Sequence, residues 1–175
     1  GFLSTPRAAV MLVFAAFGAV VGVFSGAIPA MARQAGLGSE TLGIALMVMT
    51  FANVAVMGFG GALARRFPHP VILLASLPLL GLTLVLMLTG KSPSMLFVIM
   101  FIHGLVIGVT DVIMNAEGSA IEHDLQRPVF TSFHACLSAS LAVFAIASSY
   151  LTIRFGPLSA AAAAFVIVLS ISPLP

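Results

Sequence analysis

Charge is what this sequence has least of. Only 7% of its 175 residues are Asp, Glu, Lys or Arg, against roughly 25% in soluble domains. A water-facing globular surface is therefore excluded. The net charge of +2 is too small to suggest a nucleic-acid partner. A single cysteine, Cys136, excludes an internal disulfide and any cysteine-rich metal site. It falls in an apolar run, where it reads as a small buried thiol. Tryptophan is absent, which removes a common stacking platform for sugars. No signal peptide is visible, because the first apolar run is too long and ends without a small-residue cleavage site.

What the chain has instead is hydrocarbon. Apolar residues make up 61%, and the mean hydropathy is +1.21. Six apolar segments follow one another: Ala8–Ala30, Leu42–Ala64, Val71–Thr89, Ser94–Ala116, Val129–Ile153 and Leu158–Ser172. Spans need about 20 apolar residues each, so six leave almost nothing for a soluble domain. Lipid offers no hydrogen-bond partner to the backbone, so each span must be a helix. The connections AGLGSE, RRFPHP, GKSP and RFGP carry turn residues. Pro29 is expected to end or kink the first helix and Pro78 to bend the third. The chain begins at Gly1 rather than Met and stops at Pro175, so it is expected to be a piece of a longer protein.

Basic residues set the expected orientation. With the N-terminus inside, the inner side holds Arg7, Arg65, Arg66 and Arg127, and the outer side holds Arg33, Lys91 and Arg154. The paired arginines of the second connection favour a cytoplasmic N-terminus.

Two small-residue stripes read first as helix packing. Gly18, Gly22 and Gly26 form a ribbon on the first helix that admits a close neighbour; lining a cavity wall is the other reading. Ser138, Ala142, Ala145 and Ser149 form a stripe on the fifth.

Between the fourth and fifth spans lies DVIMNAEGSAIEHDLQRP, which holds four of the five carboxylates. Asp111 falls inside the fourth span, and a carboxylate in hydrocarbon is by default a functional candidate. Asn115 is one turn on and about 40° round the helix, so the two share a face. Gly104 and Gly108 stand just before them. His103 is expected near the bilayer middle, roughly 12 Å from Asp111 along the axis. His134 enters the fifth helix at a depth close to that of Asp111. A carboxylate, an amide and an imidazole so placed could bind and release a proton. The structural alternatives are a protonated Asp111 bonded to a neighbouring helix, an interhelical His103 and a packing His134. Glu117, Glu122, Asp124 and Arg127 read as a solvated cytoplasmic loop, with Glu117 set apart by its closeness to Asn115.

These residues also carry a resemblance. Over MNAEGSAIEHDLQRPVFTSFHACLS the chain resembles the N-terminal half of a major facilitator superfamily transporter, in particular the fucose-permease-like branch that includes YbjJ-type bacterial proteins. The matching positions are Asn115, Glu117, Glu122, His134 and Ser138, and the six-span layout extends the likeness over the whole chain. The resemblance implies an all-α membrane fold of six helices in two three-helix repeats, forming half of a transporter. It implies proton-coupled movement of a small polar solute such as a sugar or related metabolite, with Asp111 and Asn115 matching an acidic residue and an Asn associated with proton coupling and sugar recognition. His134 matches a polar cavity position; His103, Glu117 and Ser138 complete the candidate set. The implied setting is the bacterial inner membrane. The implied partners are solute, protons, lipid and a second six-helix half or a second copy, with no cofactor, metal or nucleic acid.

Departures stand beside the likeness. The superfamily loop Gly-x-Leu-Ala-Asp-Arg-x-Gly-Arg-Arg reads GALARRFPHP here. Gly61, Leu63, Ala64 and Arg66 match, but Arg65 occupies the Asp position and His69–Pro70 the last two basic ones. The gate loop, represented by Gly61, Arg65 and Arg66, therefore has its Asp-based latch missing or rebuilt. The first helix lacks the carboxylate that fucose permease uses, the Gly-Pro signature of drug antiporters is missing from the fifth, and Ala135 replaces the Gly after the motif His. Two readings from other classes remain. One is a non-transporting membrane receptor or assembly protein on the same scaffold. The other is a rhomboid-type serine protease around Ser25–Gly26; against it, Gly22 falls one position too early and the serine sits on the first helix.

Overall fold

The structure is a computed structural model and describes residues 6–171. It is all-helical over that range: α1 (Pro6–Gln34), α2 (Ser39–Arg66), α3 (His69–Thr89), α4 (Pro93–Leu125), α5 (Phe130–Phe155) and α6 (Pro157–Ile171). Helices α1 to α5 are long and apolar enough to cross a membrane. Helix α6 is described over 15 residues, about 22 Å; its predicted end, Ser172, lies outside the described residues.

Three sequence expectations are corrected. α1 does not end at Pro29 but runs on to Gln34, since a helix end in hydrocarbon would strand more carbonyls than the one that proline leaves without a donor. α4 does not end at Ala116 but continues to Leu125, so Glu117, Glu122 and Asp124 are helical rather than parts of a loop. The helix stops where Gln126 adopts a left-handed conformation, φ 50°, a common way to close a helix. Cys136 is half-buried rather than buried.

The helices pair by a rule visible in their packing. α1 lies along α5, and α2 lies along α4; α3 packs on α4, α6 packs on α1, and α3 meets α6. Exchanging each helix with the one three places on leaves these five pairings unchanged, while α5–α6 and α1–α3 packing has no comparable counterpart. The main pairings are thus those of two three-helix repeats.

Glycine makes both long pairings possible. A Cβ on Gly18, Gly22 or Gly26 would strike the carbonyl oxygen of Leu137, Leu141 or Ala145 on α5. On the related pair, a Cβ on Gly104 or Gly108 would strike the carbonyl of Met49 or Asn53 on α2. Both backbones approach to a distance only glycine permits, where dispersion contacts hold helices together in lipid. Serines of α5 add hydrogen bonds to α1: Ser140 to Ala15 O (2.7 Å), Ser148 to Val23 O (2.9 Å) and Ser149 to Gly26 O (3.2 Å). The α5 stripe therefore differs from the one read from sequence: Ser138 and Ala142 are exposed.

The core lies among α1, α3 and α4, with Phe14, Leu80, Leu84, Met87, Leu96, Met100 and Ile113 fully buried, and Phe133 of α5 joins it. α2 and α5 each bury one side only. Their other sides leave Phe51, Phe59, Ile146 and Ile153 more than 70% exposed.

Candidate functional site

Asp111 sits two turns past the closest α4–α2 contact, where the helix emerges half-buried. Asn115 Nδ2 donates to Asp111 Oδ1 (3.0 Å) and to the Asp111 carbonyl (2.8 Å). The one-turn spacing produces this bond, and it leaves the second carboxylate oxygen unengaged by Asn115. His134 lies near the start of α5, the next helix in the chain. The imidazole is exposed and packs edge-on against a pair of phenyl rings, Phe14 of α1 (centroids 5.3 Å) and Phe130 of its own helix (4.9 Å), which also touch each other. Phe14 in turn packs on Phe133 (5.4 Å). The carboxylate and the amide thus form a bonded pair on α4, and the imidazole stands beside an aromatic cluster at the start of α5.

The remaining candidates lie elsewhere. Ser138 is exposed one turn beyond His134. His103 is fully buried, two turns before Asp111. Its Nδ1 lies 2.6 Å from Thr83 Oγ1 on α3, and its ring sits 5.9 Å from Phe24 of α1. Its Nε2 has no hydrogen-bond partner. Glu117 is engaged by His69 at the start of α3, Nδ1 to Oε1 2.7 Å. Gly61, Arg65 and Arg66 occupy the exposed last two turns of α2, and Arg66 lies 5.9 Å over the Phe67 ring. Among the described residues neither arginine pairs with a carboxylate.

Sequence reading missed three features here. The His69–Glu117 pair joins residues 48 apart, and no periodicity links them. The phenyl rings about His134 depend on how α1 meets α5. Glu122 was read as solvated, yet its Oε2 accepts the N–H groups of Val129 (2.8 Å) and Phe130 (2.7 Å) at the start of α5; a carboxylate shortly before a Pro-interrupted helix start was the available signal.

Among the described residues no three His, Cys, Asp or Glu side chains converge on a metal-sized site. A shallow open cavity at the other end of the bundle, bordered by Gln34, Leu88, Lys91 and Phe155, contains none of these groups.

Comparison with known proteins now bears on the arrangement. No family model matches the chain. It is similar to an uncharacterised MFS-type transporter of Yersinia pestis, 24% identical over 143 residues, covering 81% of this chain and 37% of that protein. It is also similar to an uncharacterised transporter of Sinorhizobium fredii, 27% identical over 154 residues, covering 87% of this chain and 40% of that protein. These two distant relatives support a relationship to the major facilitator superfamily. The chain spans about two fifths of the length of each.

Proposed function

We propose that this chain is the N-terminal half of a secondary transporter that moves a small polar solute, a sugar or related metabolite, together with protons. The observation that carries the reading is Asp111: a half-buried carboxylate within an apolar helix long enough to cross a membrane, bonded to Asn115 one turn on. Distant likeness to proteins called transporters points the same way.

Each residue has a role. As a carboxylate, Asp111 accepts from Asn115 and from a solute hydroxyl. With a proton added it is neutral, and the site can change its access without carrying a charge through a low-dielectric region. Asn115 holds one oxygen in place. His134, exposed on α5, offers ring nitrogens for hydrogen bonds with the solute. In this reading the N-terminus is cytoplasmic, the membrane is the bacterial inner membrane, and a second six-helix half, or a second copy, closes the site by rocking against this one. The one-sided apolar faces of α2 and α5 suit both that half and lipid.

The test uses proteoliposomes with a pH dye inside and a panel of neutral monosaccharides outside. The complete transporter should acidify the lumen with at least one sugar, and residues 1–175 alone should not. Sugar uptake without proton movement would overturn the coupling. Uptake by uncrosslinked, monomeric 1–175 would overturn the half-site.

A further inference from the structure

Asp111 and His134 belong to helices that barely touch. α4 lies along α2, and α5 lies along α1. Packing of α5 on α1 sets the helix as a whole, and a direct joint between α4 and α5 bears on where the imidazole stands relative to α4.

The junction between the two helices supplies it. The first N–H groups of a helix have no partner within the helix, and no side chain at Val129 caps α5. Glu122 reaches over from α4 instead. One oxygen, Oε2, accepts both the Val129 N–H (2.8 Å) and the Phe130 N–H (2.7 Å). A carboxylate there is favoured by the positive end of the helix dipole as well as by the bonds. One turn earlier, Gly118 leaves space for aromatic rings: a Cβ there would lie 3.0 Å from Phe130 Cε2 and 3.2 Å from Phe133 Cδ2. Phe130 thus rests against α4 at Gly118 while its backbone is held by Glu122. The same ring packs edge-on against His134, 4.9 Å between centroids, and Phe14 touches both rings.

We propose that Glu122 is a positioning residue: through the start of α5 and the Phe130 ring, it sets where His134 stands relative to Asp111. That Asp111 and His134 serve transport rests on the proposed function; the positioning does not.

The chain has four histidines, so histidine-labelled protein in detergent micelles gives a countable set of imidazole resonances. His134→Asn and His103→Asn identify two of them. Glu122→Ala should move the His134 signal by more than its linewidth and leave His103 in place. Glu122→Gln keeps an acceptor oxygen and should return His134 to its original position. Gly118→Ala, which leaves the cap but crowds Phe130, should also move His134, and it carries the test if Glu122→Ala does not fold. An unmoved His134 in either Ala variant overturns the proposal. So does an equal shift of His103, since Glu122 would then act on the whole fold. Neither result bears on coupling, which Asp111→Asn tests separately.

Discussion

His69 and Glu117 meet with Nδ1 and Oε1 2.7 Å apart, tying the first turn of α3 to α4. His69 takes one of the basic positions of the loop that resembles the superfamily's gate motif, while Arg65 and Arg66 stay free of carboxylates among the described residues. The pair is about a quarter exposed on each side, so it should contribute modestly. His69→Ala and Glu117→Ala should each lower stability by about 1 kcal/mol, and a double-mutant cycle by thermal unfolding in detergent should give a coupling of about 0.5–1 kcal/mol. Additive effects would show that the contact is incidental.

The glycine ribbon makes a sharper prediction. Gly22→Ala places a methyl group against the Leu141 carbonyl, and α1 must move off α5. Overpacking of this kind costs about 1–3 kcal/mol, read as a lower midpoint of thermal unfolding. Gly58, also helical, has nothing within 4 Å of its Cβ position, so Gly58→Ala should be neutral or stabilise by about 0.5–1 kcal/mol.

His103 and Thr83 test the polar link inside the core. Thr83→Val keeps the shape but leaves the buried His103 Nδ1 without its partner. A loss of about 1–3 kcal/mol is expected, with Thr83→Ser close to the parent protein. A neutral Thr83→Val would show that the imidazole is satisfied otherwise.

Orientation is tested at Lys91, exposed in the connection between α3 and α4. In a Cys136→Ser background, a cysteine at 91 should react with an impermeant thiol reagent added from the outer side. Labelling only from the cytoplasmic side would reverse the topology.

Some of this was legible in the residues and some was not, for physical reasons. Hydropathy finds the spans because lipid forces each apolar run into a helix, but it misplaces the end of α4, whose last nine residues include Glu117, Ser119, Glu122, His123 and Asp124 and are still helical. Spacing within one helix is legible: Gly18, Gly22 and Gly26 lie on one seam, and Asp111 bonds Asn115 one turn away. Relations across helices are not. The register of α5 on α1 seats Ser140 and Ser148, rather than Ser138, against carbonyl groups, and no period in the sequence encodes that rotation. Phe14 beside His134 and His69 beside Glu117 depend on the same unseen registers.

The most direct measurement concerns Asp111. In the complete transporter, Asp111→Asn keeps the size of the side chain but removes the group that exchanges protons. Vesicles holding the variant should lose proton-driven accumulation of the solute and its associated lumen acidification, while exchange of labelled for unlabelled solute at equal concentrations persists. If Asp111→Asn still concentrates solute against its gradient with unchanged proton movement, Asp111 is a structural carboxyl and the proposed coupling site is wrong.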